Sequence, residues 1–224
     1  MTHTEKVHVI LGSAAALAGA LALWEVYRPT SRARLCWPVL AFLIGFFLFI
    51  PVEARSRTYQ DVGWWQVLLS AVPEHPTTWI RDWLYYLPQR HVIQHKLGAL
   101  CIMAIGMIEF RRAQGGLPGR GPRMALPSLL LGTAIAFGVH GGTAAHLSHP
   151  VEQIHHQVLG AAFAAAATTL ALSRTGRLRA HFWKGLWAAL VLAVGLDIAV
   201  FYRLRPTENA EEIHHHESTG PGMR

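Results

Sequence analysis

The chain has 224 residues, of which 52% are hydrophobic and only 15% charged, and its mean hydropathy is +0.27. Charged residues make up about a quarter of an ordinary soluble domain, so this chain is short of solvated surface. Twenty Lys and Arg against 13 Asp and Glu leave a net charge of +7. The excess lies in short loops between apolar runs, where membrane topology accounts for it, and this speaks against a nucleic-acid partner.

Six apolar runs follow one another along the chain, at residues 7–24, 37–52, 91–110, 124–142, 151–172 and 185–202. Each approaches the roughly 20 residues that cross a hydrocarbon core about 30 Å thick at about 1.5 Å per residue. In lipid the backbone must satisfy its own hydrogen bonds, so such runs are helices. The fold class read from them is all-α. It is a polytopic membrane helix bundle of about six transmembrane helices, with one or two short interfacial helices on the outer face.

The first run carries "ALA" at 20–22, which resembles a signal-peptidase site. Its leading end offers only Lys6, and three arginines follow it, so it is read as a retained helix. Those three, Arg28, Arg32 and Arg34, begin a pattern. Arg111, Arg112, Arg120 and Arg123 follow the third run, Arg174, Arg177, Arg179 and Lys184 the fifth, and the loop after the fourth has no Lys or Arg. The positive-inside rule puts the first, third and fifth loops in the cytoplasm and both termini outside, in a bacterial inner membrane. Trp24, Trp37, Trp183 and Trp187 fall at inner ends, and Trp64, Trp65, Trp79 and Trp83 in the outer loop, as an aromatic belt would have them.

Between the second and third runs, residues 61–88 read as two amphipathic segments split by Pro73 and Pro76, suited to lying on the outer leaflet. Residues 1–205 form one helix-bundle domain, and 206–224 a polar tail without the apolar content to fold. "QHKLGA" opens the third run and "HHQVLGA" the fifth, a short internal echo. Cys36 and Cys101 lie at different depths, which argues against a disulfide.

The histidines are distributed unevenly. Of 14, only His181 falls in a cytoplasmic loop. Imidazole is the commonest protein ligand for transition metals, so the outer ends of the third, fourth and fifth helices form a candidate metal site. In "HVIQH", His91 and His95 are four apart and share a helix face. His140 ends the fourth run, and His146 and His149 follow in the loop. In "EQIHH", Glu152 precedes His155 and His156 by three and four residues, a position from which a carboxylate completes a site or orients an imidazole. Adjacent helical residues point about 100° apart, so His155 and His156 should serve different neighbours. Asp197 lies inside the sixth run at a depth close to that of His95. An ionisable residue there is a functional hypothesis by default, beside the plainer reading of an aspartate paired with a buried histidine. Met103 and Met107 suggest a thioether path for Cu(I), but His95 and Met103 are about 80° out of line on the helical wheel.

"HVIQHKLGAL" resembles the His-x-x-Gln-His helix start of copper-insertion factors of cytochrome oxidase assembly. The plan of short helices, outward histidines and basic inner loops resembles the copper-resistance D family. The resemblance covers about a fifth of the chain and implies copper held on the outer face by His91, His95, His155 and His156. A periplasmic copper carrier or a respiratory complex would then be the partner, beside the lipid bilayer itself. Two other readings stay open. His95 with His140, His155 or His156 would clamp a b-type haem in an electron-transfer subunit. "HVIQH" and "EQIHH" also mimic the boxes of membrane di-iron oxidases and hydroxylases, although those families keep them on the cytoplasmic side. No phosphate-binding loop or nucleophile elbow is present, so the sequence leans away from an enzyme.

Overall fold

The computed structural model describes residues 3–50, 90–117, 119–143, 150–177 and 181–204. The interfacial segment, the loop bearing His146 and His149, and the polar tail therefore lie outside the described residues. Those described form six helices and the turns beside them, without strands: α1 (His3–Tyr27), α2 (Ala33–Phe49), α3 (Arg90–Ala113), α4 (Arg120–Thr143), α5 (Pro150–Arg174) and α6 (His181–Leu204). Each apolar run has become one helix. Five helices extend past both ends of their run, because hydropathy marks the apolar centre while backbone bonding carries on into polar flanks. α2 instead starts earlier and stops at Phe49. Ile50 takes an extended conformation (ψ 141°) ahead of Pro51, whose ring disfavours helical backbone in the residue before it.

Four helices, α1, α3, α5 and α6, are long and apolar enough to cross a membrane. The apolar parts of the other two are shorter, Ala33–Phe49 and Arg123–Val139. All six nevertheless show the same outward character. Val39, Leu43 and Phe46 on α2, and Leu131, Ile135 and Val139 on α4, are exposed at helical spacing. So are Ile93, Leu97 and Leu100 on α3, and Val151, Ile154 and Val158 on α5.

Each helix packs on its neighbours in the chain, and α6 returns against α1, which closes a ring. Three of these six interfaces carry most of the packing: α1 with α6, α2 with α3, and α4 with α5. Glycine is the cause. A Cβ on Gly195 of α6 would lie 2.2 Å from the Ala16 nitrogen of α1, and one on Gly106 of α3 would lie 2.6 Å from the Phe42 nitrogen of α2. Gly160 of α5 approaches the α4 backbone at Ala134 and Gly138 in the same way, at 3.0 Å. Such close backbone approach is the small-residue mode of helix association. A hydrophobic layer joins all six helices through Ala22, Trp37, Ile105, Leu130, Ala166 and Ala188.

Candidate functional site: an imidazole-lined cavity

At one end of the ring all six helices wall a single cavity of about 120 Å³. It is lined near the N-termini of α1, α3 and α5 and near the C-termini of α2, α4 and α6, so successive helices run in opposite directions. The walls are apolar, with Leu48, Ala99, Phe137, Leu159 and Ile198 among them, and among the described residues neither a carboxylate nor a Lys or Arg lines it. Among the described residues its polar members are Gln94, Tyr202 and three imidazoles: His8 of α1, His95 of α3 and His156 of α5.

Aromatic packing fixes two of these rings. His8 stacks on Tyr202 with centroids 4.1 Å apart, and His156 stands 6.0 Å from Phe137, which in turn stacks on Phe163. Lys96, next to His95, is buried and donates from Nζ to the Leu48 and Ile50 carbonyls at 2.8 and 3.0 Å. A cation here satisfies the last carbonyls of α2 and pins that helix end to the start of α3.

His155 and His156 do serve different neighbours, their ring planes 85° apart. His156 faces the cavity, whereas His155 turns to α6, stacks on Phe201 at 3.8 Å and places Nε2 2.6 Å from Asp197 Oδ2. A carboxylate only accepts, so the imidazole donates from Nε2. Its Nδ1 is buried with no hydrogen-bond partner. Asp197 therefore pairs with His155 and is not among the cavity-lining residues that include His95. Of the other sequence candidates, His91, His140 and Glu152 stand on α3, α4 and α5, with side chains outside the described residues, as His146 and His149 are entirely. Among the described residues no three His, Cys, Asp or Glu side chains are grouped closely enough to hold a metal ion.

His8 was not among the sequence candidates. The signal for it is the internal echo, which the structure extends to α1. His8 precedes Gly12 by four residues, His156 precedes Gly160 by four, and His95 precedes Gly98 by three.

The opposite end of the ring is closed by charge. Glu109 of α3 is fully buried. One of its oxygens accepts from Arg112 and the other from Arg174 of α5 at 3.2 Å. Arg112 also reaches Glu25 of α1 at 3.2 Å, and Glu25 accepts from Trp37 Nε1 of α2 at 2.5 Å. Arg174 donates as well to the Arg123 carbonyl of α4, and Trp37 meets Trp187 of α6 edge-on at 5.9 Å. All four carboxylate oxygens are thus satisfied. This network was missed in the sequence although the rule applied to Asp197, an ionisable group within an apolar run, singles out Glu109 equally, while Glu25 falls just past the end of the first run. No protein family, curated protein or solved structure matches the chain.

Proposed function

We propose that the protein is an integral membrane protein of six spans that binds a transition metal, copper first, in the imidazole-lined cavity. Uptake, sequestration or delivery are the roles such a site serves. Support for six spans comes from α2 and α4. They stand in the ring beside the longer helices and expose the same apolar ridges, which would otherwise face water over a patch no soluble monomer carries. The basic loops join the charged ends of the helices. By the positive-inside rule the cavity faces the periplasmic side of a bacterial inner membrane, with both termini on that side.

The observation that carries the metal reading is the convergence of His8, His95 and His156, from three separate helices, on one cavity. The wall chemistry favours copper. A hard divalent cation wants oxygen ligands, and the described residues that line the cavity include no carboxylate. With imidazole ligands and apolar walls the ion's own charge stays uncompensated by the described residues, and the cost of burying charge rises steeply with its magnitude, so monovalent Cu(I) suits the site better than a divalent ion. His95 and His156 are the principal ligands and His8 the third. Exchange with a periplasmic copper carrier is the partner relation that follows.

The test is anaerobic Cu(I) titration of detergent-purified protein against a competing chelator, with metal analysis of the protein as isolated. One Cu(I) per chain, lost in His95→Ala and His156→Ala, is expected. Folded wild-type protein that retains no copper would overturn the reading. A b-type haem is the second reading, because a porphyrin brings four nitrogens and needs only one or two imidazoles, although a cavity of about 120 Å³ would have to widen to admit it. A Soret band with reducible α-bands in the isolated protein would select it.

A further inference from the structure

The chemistry of the cavity changes with depth. On α1, α3 and α5, which begin at this end, His8, His95 and His156 are each followed seven residues later by another lining residue: Ala15, Ile102 and Phe163. Seven residues make about two helical turns, so each pair shares a face and spans about 10 Å along the axis. Gln94 stands at the level of the imidazoles, as does Tyr202, which stacks on His8. Val194 lies about two turns deeper than Tyr202 on α6. Polar groups thus ring the upper level, whereas every described residue lining the lower level is apolar. Ile102 and Phe163 also pack against the hydrophobic layer, which floors this well. An ion held by imidazoles makes no use of the lower space.

We propose that the cavity binds an uncharged, one-ended amphiphile of about one ring, of the phenol class, with its ring in the apolar well and its oxygen at the level of Gln94, Tyr202 and the imidazoles. The inference goes beyond the metal reading and does not depend on it. An apolar pocket with a few convergent polar groups is the usual form of a small-molecule site. Volume sets the first limit on the ligand. An apolar cavity of about 150 Å³ admits benzene, so about 120 Å³ corresponds to a single ring rather than a lipid chain. Charge sets the second. Among the described residues no Lys, Arg, Asp or Glu lines the cavity, so a carboxylate or ammonium would be buried without a counter-ion. The depth gradient sets the third. A hydroxyl both donates and accepts, as do an amide, a phenol and a neutral imidazole, so the upper level suits it. A second oxygen across the ring would lie in the well without a partner, and a buried unsatisfied polar group is costly.

Fluorine NMR titration of the full chain in lipid nanodiscs tests this, with 4-fluorophenol as the probe, 4-fluorobenzoate as its charged counterpart and hydroquinone as the two-ended competitor. Gly98 supplies the variant that fills the cavity. A Cβ there meets the Ala136 side chain at an ordinary 3.9 Å, so the rest of a leucine side chain grows into the cavity, and leucine favours helix over glycine. One saturable site per chain is expected for 4-fluorophenol in the wild-type protein, and none in folded Gly98→Leu. Gly98→Ala should be weakened in the same sense, which decides the matter if the larger side chain prevents folding. 4-Fluorobenzoate should not saturate, and hydroquinone should bind about tenfold more weakly or worse. Equal uptake by the wild-type chain and the Gly98 variants would be partition into the bilayer and would overturn the site, as would no saturable uptake at all. Saturable 4-fluorobenzoate, or hydroquinone as tight as 4-fluorophenol, would overturn the uncharged, one-ended ligand. The two readings of the cavity fail separately, because the phenol titration contains no copper and the Cu(I) titration no phenol.

Discussion

His155 and His156 are chain neighbours with opposite situations, and the difference can be tested residue by residue. His156 presents its ring to the cavity, whereas His155 is occupied by Asp197 and Phe201. His156→Ala should abolish Cu(I) retention. His155→Phe should keep it, at a modest cost in stability from the lost bond to a half-exposed carboxylate. Parallel metal analysis of the two variants checks this, and equal loss in both would show that His155 is a ligand after all. Glu109 makes a second prediction at the same scale. Replacing one member of a buried charge set strands the others, so Glu109→Ala should destabilise the protein by about 3–5 kcal/mol. Glu25→Ala should cost clearly less, because Glu25 and its partner Arg112 are partly exposed and water screens them. Denaturant unfolding in detergent measures both.

At the scale of elements, glycine position separates contact from conformational freedom. A Cβ on Gly195 would overlap the α1 backbone at 2.2 Å, and no rotamer relieves a clash between two main chains. Gly195→Val should cost about 1–3 kcal/mol or more through forced separation of α1 from α6. Gly138 of α4 has open space where its Cβ would be, so Gly138→Ala should be neutral or stabilise by about 0.5–1 kcal/mol through helix propensity. Thermal unfolding of the two variants should move in opposite directions. Equal destabilisation would mean that packing, rather than this close approach, dominates both positions.

At the scale of the whole molecule the two ends of the ring differ in chemistry. Imidazoles and an apolar cavity lie at one, and bonded carboxylates and guanidiniums close the other. Gln114 is exposed in the turn after α3, at the charged end. In a Cys36→Ser, Cys101→Ser background, a membrane-impermeant maleimide should label Gln114→Cys in inverted membrane vesicles and leave it unlabelled in intact spheroplasts. The reverse pattern would invert the orientation and turn the cavity toward the cytoplasm.

By itself the sequence determined the helices. Apolar runs of this length have one way to satisfy their backbone, and each run forms one helix whose ends differ only where a flank or Pro51 intervenes. The uneven spread of histidines was legible too, as was the divergence of His155 from His156, because both follow from chain position and helical pitch. What only the tertiary structure decided is which side chains meet. Asp197 and His95 share a depth, yet Asp197 turns to His155, while His8, 87 residues before His95, joins the cavity. Helical periodicity gives the direction of a side chain about its own axis. It does not say which neighbour stands on that side, and this depends on the close approach that a few glycines allow and on the order in which six helices close a ring.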